Sequence, residues 1–135
     1  MTSSKPPLSA ANMKYLIAVR ALDRDGKGVR CVAVAELLHI TKPSVHSMMA
    51  TLQQMQLVEK AHYGVIRLTD AGRALADRYC GCLEMFERHF QRYLPTGEEA
   101  HAAARALLAE LPLGSAEHMC AMLRRQTNAA AADVG

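Results

Sequence analysis

The stretch ITKPSVHSMMATLQQMQLVEKAHYGVIRLTDAGR, from Ile40 to Arg73, changes its apolar rhythm partway along. Val45, Met48, Met49, Leu52 and Met55 recur at the spacing of one helix face. Beyond them the period drops to two. LVEKAHYGVIRLT reads as two short strands folded at Tyr63-Gly64, with Ile66 and Leu68 alternating inward. Few architectures accept a helix that runs straight into a hairpin. Upstream, AVAELLHI supplies a brief helix ending near His39. Thr41 then caps the next, and Pro43 sits in its first turn, where a missing N–H costs nothing. Two helices joined by a tight turn, with a hairpin behind the second, predict a winged helix-turn-helix.

The flanking sequence reads as helix. Ser9 caps a helix over residues 10–23 with Met13, Leu16, Ile17 and Ala21 on one face; DRDGKG stops it, and VRCV is a short strand. Thr69 caps a long helix striped by Leu75, Tyr79, Leu83, Phe86 and Phe90, which runs to LPTG. Thr96 and Glu99 make a capping box for a helix to about Glu110. Pro112 and Gly114 break that helix, and Ser115 opens a short last one to about Arg125. Aromatics are only 4% and Trp is absent, so Ala, Leu and Met carry the apolar content, and these are good helix formers. The expected fold is mainly α: a winged-helix domain over 8–72, a helical dimerisation domain over 73–125 and a flexible tail over 126–135. The polar head and the tail QTNAAAADVG are expected to fray.

Charge placement says more than total charge. The net charge of +3 is mild, yet none of the 13 Asp and Glu residues falls between His39 and Val58. In the helix 42–55 the apolar stripe leaves Lys42, Ser44, His46, Ser47, Ala50, Thr51 and Gln54 on the other side. A helix entering the major groove needs short polar groups that reach base edges. A carboxylate there would face a phosphate array with one charge per ~1.7 Å of duplex. Thr41 and Ser44 flank the helix N-terminus, where a phosphate is favourably held. Lys60, His62 and Arg67 flank the hairpin tip, where a wing meets backbone or minor groove.

These residues, with LSAANMKYLIAVRAL before them and LT..GRALA after, resemble the DtxR/MntR family of metal-responsive transcriptional repressors over roughly residues 8–125. The short HYG wing with one long helix straight after it favours this family over MarR-type regulators, which share the LT..GR join. The resemblance implies a winged-helix domain, a helical metal-binding and dimerisation domain, and a homodimer on palindromic operators in double-stranded DNA. It places DNA contacts at Thr41, Pro43, Ser44, His46 and Ser47; the face and wing reading adds Lys42, Thr51, Lys60, His62 and Arg67.

The family binds Mn(II) or Fe(II), but its ligand places are here held by Lys14, Ile17, Leu83, Ala104, Leu107 and Leu108. An ammonium and aliphatic groups do not replace carboxylates and imidazole around such an ion. No cofactor and no metal ligand is therefore predicted. Glu87 and His101 approximate part of an ancillary site, with Leu83 where its histidine partner would stand. Small residues such as Ala102, Ala103 and Ala104 allow close helix approach for a dimer, and Leu107 and Leu108 add burial.

Other classes find less support. Among six histidines none is paired at i, i+4 around a Glu, and no nucleophile motif or Gly-rich phosphate loop occurs, so no enzyme is expected. Cys80 and Cys82 point in divergent directions on a helix and do not easily share an ion. No apolar run approaches the ~18 residues of a membrane span. Four cysteines without a secretory signal suit reduced thiols in the cytoplasm. The alternatives are a MarR-like regulator answering to a small molecule or thiol oxidation, and an interaction module that no longer binds DNA.

Overall fold

Local capping sets the helix starts. The computed structural model describes residues 8–134, with side chains described to residue 130; the head, residues 1–7, lies outside them. Helix α1 (Ala10–Leu22) opens on Ser9, whose hydroxyl accepts the Asn12 N–H. It buries Met13, Tyr15, Leu16, Ala18 and Val19, whereas Ile17 is half-buried and Ala21 exposed. The expected face is thus rotated toward Tyr15 and Val19.

Strand β1 is shorter than VRCV suggests. It covers Val29–Arg30, and Cys31 already begins α2 (Cys31–Leu38), which ends on His39 in the left-handed region. Helix α3 (Lys42–Gln54) follows closely and buries Val45, Met49 and Leu52. Strands β2 (Val58–Lys60) and β3 (Val65–Leu68) form the hairpin, joined by one 3-10 turn over His62–Gly64. The antiparallel sheet has the order β1-β3-β2, with Val29 opposite Ile66, Val58 opposite Leu68 and Glu59 opposite Arg67.

Helix α4 (Asp70–Phe90) opens on Thr69, whose hydroxyl accepts the Gly72 N–H and donates to the Gln56 carbonyl. Its last expected turn, residues 91–93, is no longer helical. Helix α5 (Gly97–Glu110) carries the expected capping box between Thr96 and Glu99. Helix α6 (Leu113–Val134) corrects the sequence reading at both ends. Gly114 lies inside its first turn instead of breaking it, and the Ala116 N–H bonds back to the Pro112 carbonyl. A proline or glycine at a helix start interrupts few intrahelical bonds. Past Arg125 the alanine run, made of the best helix former, continues as helix to Val134.

The chain forms two compact units that divide inside α4, Leu8–Asp77 and Arg78 onward. In the first, Leu16, Val19, Val34, Val45, Met49, Leu52, Val58 and Ile66 form the core. Two close approaches lock it. A Cβ on Gly72 would stand on the Leu57 carbonyl oxygen, and one on Gly28, whose φ is +96°, would collide with Val65. Asp23 holds the turn before β1: its buried carboxylate accepts the Gly28 N–H at 2.9 Å and lies 3.8 Å from the Arg73 guanidinium.

The second unit packs small residues. Ala100, Ala104 and Leu108, four apart on α5, are fully buried, as are Phe86 of α4 and Ala116 of α6. Of the other residues expected to pack, Ala102 is exposed, while Ala103 and Leu107 are half-buried. Arg78 of α4 grips Glu117 of α6 through two hydrogen bonds of 2.9 and 2.7 Å. That hydrogen bonding holds the Glu117 carboxyl below its usual range. Half-exposed, the pair contributes about 1 kcal/mol or less. It is present above the ordinary glutamate pKa and is lost as pH falls through the lowered one.

Candidate nucleic-acid interface

Helix α3 presents a continuous polar face. Lys42, Pro43, Ser44, His46, Ser47, Ala50, Thr51 and Gln54 are all exposed, as is the cap Thr41, while Val45, Met49 and Leu52 lie inward. The i, i+4, i+7 spacing of the buried three fixes which way the rest point. No acidic residue stands in the first turn.

The hydroxyls at the helix start have defined roles. Thr41 Oγ1 accepts the Ser44 N–H at 3.3 Å and donates to Ser44 Oγ at 2.9 Å. Ser44 Oγ therefore keeps its own proton for an outside acceptor. Among the first amides, Pro43 has no N–H, and those of Ser44 and Val45 are taken by Thr41. The expected phosphate cradle thus rests on the Ser44 hydroxyl and Lys42 more than on backbone. Thr51 donates its hydroxyl back to the Ser47 carbonyl at 3.3 Å, which leaves its oxygen to accept.

The hairpin is tied to the end of α3. The Leu57 N–H bonds to the Leu52 carbonyl and the Thr69 N–H to the Leu57 carbonyl, so the strands leave the helix at a fixed angle. Lys60, His62 and Arg67 are exposed on it, as expected. Arg67 lies 3.8 Å from Glu59 on the facing strand, so its charge is partly balanced. The wing's net positive charge accordingly rests on Lys60. The sequence reading assigned no contact to Tyr63, which stands at the tip 93% exposed with φ +64°. The signal lay in the HYG triplet itself, an aromatic next to the turn glycine.

The metal-ligand places offer nothing new in three dimensions. Leu83, Ala104 and Leu108 are buried, Leu107 and Ile17 are half-buried, and Lys14 is exposed. Aliphatic side chains offer no lone pair to a divalent cation and an ammonium repels one, so these residues do not fit Mn(II) or Fe(II). Glu87 and His101 do meet, with Nδ1 2.8 Å from Oε2. They are two potential ligands beside a buried leucine.

All four cysteines are buried. Burial, helped by the neighbouring Cys120 thiol, pushes Cys82 up to about 12. A thiol held protonated in this way is a poor nucleophile, which weakens the thiol-oxidation alternative at Cys82.

The IclR helix-turn-helix domain matches residues 18–62, so the chain carries a helix-turn-helix domain. No curated protein matches the sequence. The fold is similar to that of a hypothetical protein from Sulfolobus solfataricus, with a TM-score of 0.65 at 18% identity, covering 89% of each chain. It is also similar to IdeR of T. acidophilum (TM-score 0.71, 17% identity, 95% of this chain and 56% of that one). ScaR, solved with bound Zn2+, gives a TM-score of 0.62 at 25% identity over 87% of this chain and 53% of its own. The manganese regulator SloR gives 0.67 at 21% identity over 86% and 54%. The chain thus spans about half the length of IdeR, ScaR and SloR. No helix among the described residues is long and apolar enough to cross a membrane. What these likenesses establish is an architecture: a mainly helical chain with an N-terminal winged helix-turn-helix.

Proposed function

We propose that this chain is a sequence-specific, DNA-binding transcriptional regulator of the DtxR/MntR type, acting in the cytoplasm as a homodimer on palindromic operators without the usual Mn or Fe sensing site. The observation that carries this reading is the exposed, acid-free polar face of α3 within a winged unit. Thr41, Lys42, Pro43, Ser44, His46, Ser47 and Thr51 meet the major groove, and Lys60, His62 and Arg67 the backbone beside it. One helix covers only a few base pairs, so specificity requires two copies about one helical turn, ~34 Å, apart. The unit from Arg78 onward supplies the pairing surface.

Replacing ligand places by Ala and Leu makes DNA-binding geometry independent of metal. Gel shifts on the DNA upstream of the protein's own gene are expected to be unchanged by chelator. Calorimetry with Mn(II) or Fe(II) is expected to show no tight stoichiometric binding. Loss of the shift on chelation would refute metal independence while leaving DNA binding intact.

The contacts separate by type. Ser47→Ala and His46→Ala are each expected to weaken specific binding by ~1–3 kcal/mol, with little change on random duplex. Lys60→Ala is expected to weaken all sequences alike and to lower the salt slope by about one unit. A titration of each variant against specific and random duplex at several salt concentrations checks both.

A further inference from the structure

Among the described residues, three that are not glycine have positive φ: His39, Gln56 and Tyr63. Of these, only Tyr63 exposes an aromatic phenol ring. His39 ends α2, where left-handed caps are common, and Gln56 makes the turn into β2. Tyr63 does neither. It occupies the centre of the His62–Gly64 turn with Gly64, at φ +73°, directly behind it.

For stability alone the position favours Asn or Gly, which enter the left-handed region at lower cost. A tyrosine there is strained and, at 93% exposure, recovers almost nothing by burial. Its aromatic neighbour is the His62 ring, tilted by 54° with centroids 6.3 Å apart. That spacing leaves the phenol ring open to something outside the unit. The tip is narrow, a single turn between two strands, and no carboxylate stands within it. Glu59, the acid nearest in the hairpin, faces Arg67 across the strands.

We propose that Tyr63 is a specificity-determining residue that enters the minor groove, where its ring packs against base edges and selects steps lacking the guanine amino group. The proposal rests on the DNA-binding reading and adds a second, separable source of selectivity to α3. The minor groove, about 6 Å wide, excludes a helix but admits the tip of a turn carrying one ring. Its floor differs between base pairs chiefly by the guanine N2 amino group, which projects into the groove of G·C pairs alone. Apolar wedges of architectural proteins, phenylalanine among them, enter the groove in this way and partly unstack the step. Lys60, at the end of β2 next to the turn, holds the flanking phosphate, and the His62 ring offers an N–H donor beside the phenol.

The test replaces guanine by inosine throughout a mixed-sequence duplex. Inosine keeps the major-groove acceptors of guanine and loses the minor-groove amino group, so α3 meets the same surface in both duplexes. Fluorescence anisotropy at low salt is expected to show the wild type binding the inosine duplex about tenfold more tightly. Tyr63→Asn, which suits the left-handed backbone, is expected to bind both duplexes equally and to melt no lower than wild type. Tyr63→Phe is expected to keep the preference. Equal wild-type binding to the two duplexes, or a preference that survives in Tyr63→Asn, would overturn the minor-groove role with DNA binding itself intact. A wild type that binds neither duplex would overturn the DNA-binding reading and this one with it.

Discussion

Gly72→Ala is expected to destabilise the winged unit by about 3 kcal/mol or more, lowering its melting temperature by about 12 °C or more. The added Cβ would stand on the Leu57 carbonyl oxygen, and the carbonyl carbon lies 2.8 Å from the same point. Both atoms are backbone, so no side chain can swing aside. That carbonyl also accepts the Thr69 N–H at 3.1 Å, so moving it breaks the bond by which β3 hands over to α4. Gly81 is the internal control. It lies in the same helix with open space, clear to 4 Å, where a Cβ would project. Gly81→Ala is therefore expected to stabilise by about 0.5–1 kcal/mol through helix propensity. Two identical substitutions in α4 should thus move the melt in opposite directions, as calorimetry of the two variants would show.

Ser44→Glu is expected to raise stability and at the same time to weaken DNA binding sharply. The chain itself shows why. Helices α3 and α5 both begin with a threonine cap, but α5 has Glu99 at the third helical position and completes a reciprocal capping box. In α3 the corresponding place holds Ser44, and the first turn has no acid at all. A glutamate there would add about 0.5–1 kcal/mol by accepting the Thr41 N–H and meeting the positive end of the helix dipole. It would also set a carboxylate among phosphates, and such like-charge juxtaposition is expected to weaken binding about a hundredfold. Denaturant melts and anisotropy on one preparation would record both effects. A variant that is more stable and still binds as wild type would place the duplex elsewhere.

The parts of the fold legible in the sequence are those set by a few neighbouring residues. The caps Ser9, Thr41 and Thr96, the turn at Tyr63-Gly64 and the inward Ile66 and Leu68 all follow from short-range hydrogen bonds or from periodicity. Strand β1 was less legible because its two residues pair with Val65 and Ile66, far along the chain. Cys31 and Val32 went to a helix despite strand-like side chains. Helix α6 ran past its expected end because alanine propensity outlasted the polar signal of Gln126 to Asn128. The rotated face of α1 reflects Tyr15 and Ala18 packing into the core, which a four-residue stripe does not reveal.

For the interface, the exposed face of α3 was legible because burial of Val45, Met49 and Leu52 dictates it. Two features arise only in the folded chain. The pairing of Glu59 with Arg67 depends on strand register, and the exposure of Tyr63 depends on how far the turn projects. Both shift weight from Arg67 to Lys60 and the turn.

If the polar side of α3 is the surface that meets DNA, its backbone amides must respond when duplex is added. Titrating isotope-labelled protein with duplex and following each amide by NMR resolves this residue by residue. The largest shifts are expected within residues 41–54, with a second, smaller group at 62–64. Shifts absent from 41–54, or confined to residues beyond Arg78, would contradict that placement.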